Sequence, residues 1–487
     1  MKANPNQKQI VQSISIFGSM HLIAMAISVF RSKIAALWLG SQGVGVLGLF
    51  LSTINLIVSL VNVGLSTSLV RYLSGASSDE LSRKLTITQW LLVVTGAIGA
   101  VLVFIFAPTI AQLTFQDSTF DWAFRWIAVS IFFKQLTTGY SSILQSQRKI
   151  KFFANANLIA NALGILCTVH LYYYFEMDGI VYNILLVAII EALVLYWAYR
   201  WNRFTESKVE NNALIKESKG LLKEGFSFCL SNFISLLSVY AVQVFVSHSS
   251  DFHTLGLYVS GFAVLNTYVA LVFTVMGMDY FPRISKLEVT SVEFSDEVNN
   301  QLYIGMIVLM PVLLGLLLLA PWIIKILYSA EFLETKTYIY IASLGVFFKL
   351  FSWLVGYVLI SKANNKTILA NSIIFNILFI ILHCIGFYVN GLKGIAFCST
   401  LYYLLHLIGN YATVRYLFSV AIYKKNVLNY VLGCCVLGFA ILLLMFQKKE
   451  WINYTTIGIL FLVSSGYSIK HLYQIYVWKD SKKSIEP

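Results

Sequence analysis

From about residue 10 to residue 477 the chain alternates apolar runs of roughly 20 to 30 residues with short polar breaks. A hydrocarbon layer about 30 Å thick needs roughly 20 apolar residues in helical form, so each run is long enough to cross a membrane. The runs predict helices at about 10–39, 43–70, 87–113, 123–146, 153–175, 179–200, 225–247, 254–280, 303–327, 337–361, 368–389, 394–417, 428–446 and 454–477. These roughly fourteen spans leave almost no sequence for a soluble domain. The fold expected is an all-α polytopic membrane protein.

Composition agrees, since 58% of the 487 residues are hydrophobic and only 12% are charged, about half the charged fraction of soluble domains. Met1 to Lys8 is polar, and no small-residue cleavage site follows the first apolar run, so that run is expected to stay attached. The net charge of +13 is a topology signal rather than a nucleic-acid footprint. With a cytoplasmic N-terminus, the inside segments hold about 24 Lys and Arg and the outside loops about four, so both ends are expected in the cytoplasm. The outer loops are too short to build an active site, which argues against an enzyme. Cys167, Cys229, Cys384, Cys398, Cys434 and Cys435 lack disulfide or zinc spacing and read as small core residues.

A shifted self-comparison finds a collinear series of matches. Gly45 falls on Gly256 and Asn55 on Asn266 at a shift of 211, and Ala107-Pro108 falls on Ala320-Pro321 at 213. At 215 to 216, Phe132-Phe133-Lys134 falls on Phe347-Phe348-Lys349, Ala154-Asn155 on Ala370-Asn371, and Arg200 on Arg415. Such a series points to a duplicated six-helix unit, and an even helix number makes the two copies parallel. The domains expected are a first bundle over 1–200, a cytoplasmic linker over 201–224 with an amphipathic Leu214, Ile215, Leu221, Leu222 pattern, and a second bundle over 225–417. Two additional helices over 428–477 and a cytoplasmic tail over 478–487 follow. Two such bundles would frame a central cavity near the membrane midplane.

Charged and amide side chains inside apolar spans need a reason, because an ion at membrane depth costs about 2.5 to 3.5 kcal/mol on insertion scales. Arg31 and Lys33 on helix 1 either line the cavity or snorkel outward. Lys134 and Lys349, at equivalent repeat positions well inside their helices, are candidate substrate ligands. So are Asn55 and Asn266, for which interhelical hydrogen bonding is the structural alternative. Glu191 and His406 coincide under the 215 shift; they are candidates for ion coupling, or for a static hydrogen-bonded pair. Asp279, four residues before Arg283, is either one half of a surface ion pair or a gate contact. Ser227, Ser231, Ser235 and Ser238 mark a small polar face on helix 7. His248, Asp251 and His253 resemble metal ligands superficially, but a short loop with one carboxylate reads as solvated, and no metal is expected. The absence of a Gly-Lys-Ser/Thr phosphate loop argues against direct ATP driving.

Phe30-Arg31-Ser32-Lys33, Gly40-Ser41-Gln42-Gly43-Val44-Gly45, Asn62-Val63-Gly64-Leu65, Arg71-Tyr72 and Met278-Asp279-Tyr280-Phe281-Pro282-Arg283 together resemble Wzx-type O-antigen and lipid-linked oligosaccharide flippases. These belong to the multidrug/oligosaccharidyl-lipid/polysaccharide (MOP) exporter superfamily. The resemblance implies two six-helix bundles in a V that alternates between inward-open and outward-open states. It implies a bacterial inner-membrane location, with undecaprenyl-diphosphate-linked glycan as cargo for surface polysaccharide or lipopolysaccharide synthesis. A cationic cavity with an arginine on helix 1, matched by Arg31, is implied too, as are a polysaccharide polymerase and a chain-length regulator as partners. Many relatives have twelve helices, whereas related peptidoglycan-precursor flippases use an extra pair to form a lipid-tail groove.

Residue chemistry and resemblance converge on an anionic cargo: Arg and Lys suit a diphosphate, amides and aromatics suit sugars, and the polyprenyl tail stays in lipid. Voltage would assist outward movement of negative charge, with proton or sodium coupling for the empty return. No nucleic-acid partner and no bound cofactor are expected. A cation-coupled multidrug exporter of the same architecture is the first alternative, and its cavity should be acidic. A membrane glycan polymerase is the second, and it needs clustered acids or a large outer loop.

Overall fold

The computed structural model describes residues 23 to 483, apart from 24, 203, 205, 206, 208 and 448. Helices dominate, and no strand occurs among the described residues. The first helix is described over 25–38 (α1). Then come α2 (Gly40–Asn62), α3 (Leu65–Leu73), α4 (Ser78–Ile105), α5 (Ala107–Phe115), α6 (Asp121–Ser146), α7 (Ile150–Phe175) and α8 (Gly179–Trp201). They are followed by α9 (Asn211–Ser249), α10 (Phe252–Ala263), α11 (Leu271–Lys286), α12 (Val292–Leu327), α13 (Thr335–Lys362), α14 (Asn365–Phe418), α15 (Lys424–Phe446) and α16 (Glu450–Lys483).

Eleven helices among the described residues are long and apolar enough to cross a membrane, which makes this a multi-pass membrane protein. One of them, α14, runs 54 residues but leaves helical geometry at Asn390 and at Gly391 (φ +51°), so it is two spans joined by a tight turn. Gly391 suits that turn because a residue without a Cβ tolerates positive φ. A further 26-residue helix, α6, is spanning in length but carries Lys134, Gln135, Thr137 and Thr138, which lower its hydropathy. With these, thirteen of the fourteen expected spans are seen; most of the first, expected at 10–39, lies outside the described residues before α1. Large aliphatic and aromatic side chains such as Leu163, Leu166, Phe175, Trp197 and Leu462 lie exposed along them, as on a surface solvated by acyl chains rather than water.

The chain forms two compact units. The first runs to Gly256 and includes Leu327–Ser329, and the second holds Leu257–Ile326 and everything from Ala330 on. The division falls after Gly256 instead of at the linker, so the seventh span groups with the first unit. The reason is continuity: linker residues 211–224 are the opening turns of α9, one 39-residue helix. Leu214, Ser218 and Leu221 form its buried stripe, and Leu221 packs with Leu65, Leu69, Leu91 and Leu92 of α3 and α4. Glu217 accepts a hydrogen bond from Tyr72 Oη at 2.5 Å and pairs with the Arg83 guanidinium. Burial and the Glu217 carboxylate push the Tyr72 hydroxyl well above its ordinary range.

The same helix meets the α2–α3 break at a glycine crossing. Gly64 has φ +71°, and a Cβ there would fall on the Gly225 carbonyl oxygen, while one on Gly225 would strike the Val63 carbonyl. Backbones touch here because neither residue has a side chain. Farther along, Gly45 and Gly256 repeat the arrangement, since a Cβ on Gly45 would meet the Phe252 carbonyl and one on Gly256 the Ser41 carbonyl. The two glycines matched by the internal duplication therefore face each other. Gly75, by contrast, has φ +75° with open space around its Cβ position. Alanine there should cost only the left-handed backbone penalty of about 1–2 kcal/mol. Gly64→Ala should lower the thermal unfolding midpoint of the purified protein further than Gly75→Ala, because it adds a backbone clash to the same penalty.

Candidate functional site

In the second unit the helix between α10 and α11 takes a π turn over Val264–Tyr268, closed by Val269 N–H donating to the Val264 carbonyl at 3.1 Å. The extra residue re-aims the side chains that follow, a device common at functional sites. Asn266 sits in this turn. Its Nδ2 donates to the Phe262 carbonyl at 3.3 Å, which fixes the amide. Its Oδ1 then accepts from Lys349 Nζ at 2.9 Å and from Tyr403 Oη at 3.0 Å. The Lys349 ammonium also lies over the Phe273 ring at 5.7 Å and the Tyr403 ring at 5.4 Å, where ring quadrupoles favour a cation.

Beside Lys349 a cavity of about 390 Å³ opens between α11 and α13. Helical spacing builds both walls. Lys349, Trp353 and Tyr357 fall at i, i+4 and i+8 on α13, while Phe273, Gly277 and Phe281 fall at i, i+4 and i+8 on α11. Gly277 leaves room for the Tyr357 hydroxyl, which a Cβ would approach to 2.6 Å. No Asp or Glu occurs in α10, α13, α14 or α15, so no carboxylate on these spans neutralises Lys349.

His406, on the second half of α14, bonds to Ser352 Oγ through Nδ1 at 2.5 Å and to Asn410 Nδ2 through Nε2 at 3.3 Å. Tyr402 stacks on its ring at 5.6 Å, and Phe375 meets it edge-on. Glu191 is half-buried on α8 and makes no hydrogen bond or ion pair among the described residues. Glu191 belongs to the first unit and His406 to the second, where Ser352 and Asn410 bond to its ring. Asp279 pairs with Arg283 at 2.8 Å and is largely exposed, and Arg283 also reaches Glu297 at 2.8 Å and Gln301 at 3.1 Å. This is the surface ion pair, extended by α12.

The first unit treats its own polar residues differently. Arg31 donates from Nη2 to the Asn161 carbonyl at 3.4 Å and lies against Gly164, where a Cβ would collide with the guanidinium. Its Nε is shielded from solvent without a partner among the described residues. Near it runs a polar chain in which Thr168 Oγ1 donates to Asn183 Oδ1 at 3.0 Å and Asn183 Nδ2 to Tyr172 Oη at 3.1 Å. Lys33 Nζ donates to the Tyr328 carbonyl at 2.5 Å and so ties down backbone. Asn55 is exposed on α2 and Lys134 half-buried on α6, and neither makes a side-chain hydrogen bond among the described residues. The duplication preserved residue types, but only the second copy joins them as a bonded pair.

His248, Asp251 and His253 are engaged separately. His248 Nε2 bonds to the Thr114 carbonyl at 3.2 Å, His253 Nδ1 to Ser41 Oγ, and Asp251 Oδ1 accepts the Thr254 N–H at 2.7 Å. That backbone donor holds the Asp251 carboxyl below the usual carboxylate range. No group of three His, Cys, Asp or Glu able to hold a metal occurs among the described residues.

Tyr403, Trp353, Tyr357 and Phe273 were not singled out in the sequence. Counting Lys349, Trp353 and Tyr357 at one helical face would have flagged two of them, whereas Tyr403 and Phe273 come from other helices.

The polytopic fold is one that solved membrane transporters share. The lipid II flippase MurJ, in an inward closed conformation, superimposes with a TM-score of 0.72 at 17% identity, covering 96% of this chain and all of that one. An inward-facing multidrug resistance MATE family transporter of the MOP superfamily gives 0.60 at 15% identity, over 81% of this chain and 94% of that one. A MOP superfamily transporter from Pyrococcus furiosus, described as having a binding pocket of reverse polarity, gives 0.58 at 14% identity over 84% and 95%. Comparison with curated proteins finds no match. Residues 34–337, more than half of the chain, match the family described as polysaccharide biosynthesis protein, and the chain belongs to that family.

Removing the shared acceptor should be felt where two donors depend on it. Asn266→Leu leaves the Lys349 ammonium and the Tyr403 hydroxyl unbonded, each a penalty of about 1–3 kcal/mol, whereas Asn55→Leu orphans nothing. Thermal melting in detergent is expected to show a large drop for Asn266→Leu and almost none for Asn55→Leu.

Proposed function

We propose that this protein is a flippase that moves an undecaprenyl-diphosphate-linked oligosaccharide, an O-antigen or related surface-polysaccharide repeat unit, from the cytoplasmic to the outer leaflet. The observation that carries this reading is the Lys349–Asn266 pair, with no Asp or Glu on α10, α13, α14 or α15. An ammonium kept at membrane depth without a counter-charge is stabilised when an anionic ligand arrives, and it is already oriented for one. Family membership in polysaccharide biosynthesis supports a glycan cargo, and the fold shared with a lipid II flippase supports a lipid-linked one. A multidrug exporter on the same fold that expels organic cations needs acids where this pocket carries a lysine, which favours the flippase.

In this mechanism Arg31, Lys134 and Lys349 contact the diphosphate and charged sugars during alternating access, and the polyprenyl tail remains among acyl chains. Lys33 braces helix 1 through the Tyr328 carbonyl. With the membrane interior-negative, each net negative charge carried outward gains about 2.3 kcal/mol per 100 mV. Return of the empty carrier is coupled to a proton or sodium ion, with Glu191 and His406 as the coupling groups. The protein works in the bacterial cytoplasmic membrane with both ends in the cytoplasm, and hands its product to a polysaccharide polymerase and chain-length regulator.

Vesicles containing the purified protein and a fluorescent polyprenyl-diphosphate oligosaccharide should expose the label to a membrane-impermeant quencher faster than empty vesicles do. An interior-negative potential should accelerate outward movement. The combined substitution Arg31→Ala, Lys134→Ala and Lys349→Ala is expected to bring the rate to that of empty vesicles while leaving insertion intact. Unchanged translocation by that variant rejects the assignment.

A further inference from the structure

Among the described residues, the Lys349 cavity has one charged side chain on its lining. At about 390 Å³ it lies toward the small end of the roughly 300–1,000 Å³ range of ligand pockets, room for a ring with its substituents but not for an oligosaccharide. Lys349 has three N–H donors, of which one goes to Asn266 Oδ1, so among the described residues two remain on a side chain that lines the cavity. Lys349 is that one charged side chain on the cavity's lining, and Arg283 near the end of α11 is held by Asp279 and Glu297. A diphosphate, with at least two charges and many acceptor oxygens, is matched by several cations or a bidentate guanidinium. One lysine with two free donors matches a single carboxylate.

The remaining walls are aromatic. Trp353 and Tyr357 stand edge to face at 4.9 Å along α13, one and two turns beyond Lys349, and Phe273 meets Trp353 at 5.6 Å from the opposite helix. Aromatic faces with few polar groups suit the C–H face of a pyranose, which buries apolar area while its hydroxyls stay at the rim. We infer that this cavity is a subsite for one sugar ring bearing a single negative charge, a uronate-type residue of the cargo, with its carboxylate at Lys349 and its ring on Trp353. The assignment rests on the flippase reading and specifies the chemistry of the glycan that reading requires.

Saturation-transfer difference NMR on the full-length protein in detergent tests it, with methyl β-glucuronide, methyl β-glucoside and inorganic phosphate as probes. The glucuronide should receive saturation at its ring protons and bind about tenfold or more tighter than the glucoside, the difference one charge-assisted hydrogen bond supplies. Phosphate should compete only weakly. Lys349→Met and Trp353→Ala should each abolish the signal, and Lys349→Arg, which keeps the charge, should retain it. Absence of glucuronide binding, equal binding of the glucoside, equal competition by phosphate, or a signal that survives both substitutions overturns the assignment. Translocation in vesicles without a glucuronide preference removes this subsite alone, whereas loss of translocation removes the flippase reading itself.

Discussion

The arrangement around Lys349 depends on one oxygen. Asn266 Oδ1 takes a hydrogen bond from the Lys349 ammonium and another from the Tyr403 hydroxyl, joining the π turn to α13 and to the second half of α14. In water either bond would be worth little, because solvent would replace it. Inside a set of helices facing hydrocarbon, no such replacement exists, and a donor without a partner is costly. The amide therefore settles where α11 and α13 stand at this level, and the aromatic-walled cavity is the space they leave. The π turn follows from the same requirement, since the extra residue brings Asn266 round to the two donors.

Duplication and divergence can be followed at this point. Lys134 matches Lys349 and Asn55 matches Asn266 in sequence, yet Asn55 is exposed and Lys134 has no side-chain hydrogen-bond partner among the described residues. The first unit carries its internal cation on another helix, in Arg31, held by the Asn161 carbonyl over Gly164. The two cations differ accordingly. Lys349 is bonded by a side-chain amide and caged by rings, while Arg31 makes one long backbone contact and has no partner for its Nε among the described residues.

Much of the architecture could be read from the chain because membrane spans announce themselves by length and hydropathy alone. The fourteen runs, the turn that splits 368–389 from 394–417, and the collinear repeat all follow from local sequence. The grouping of the seventh span did not. A polar linker looks like a domain boundary in composition, but residues 211–224 continue α9 as helix and bury Leu214 and Leu221. At the site, Lys349 and Asn266 were recognisable as polar residues in apolar spans, and their bond to each other was not, because it depends on a π turn with no one-dimensional signature. Tyr403 was hidden for a related reason: among 28 tyrosines in a chain with 15% aromatic residues, nothing local distinguishes it.

The absence of acids from α10, α13, α14 and α15 leaves Lys349 without a carboxylate from these helices, while the acids of α11 and α12 are Asp279, Glu293, Asp296 and Glu297. A carboxylate beside Lys349 would form an internal ion pair in a low-dielectric setting, and any anionic ligand would then have to displace it. Asn266 satisfies one donor of the ammonium while leaving its full charge in place, so the lysine is positioned without being neutralised. A dipole can be out-competed by an ion, whereas an ion of the same sign as the cargo cannot be so easily set aside. That distinction separates a binding cation from a structural one, and it is visible within this chain: Arg283, paired with Asp279 and Glu297, is the structural kind. Lys349, held by an amide and two rings, is the kind that can bind.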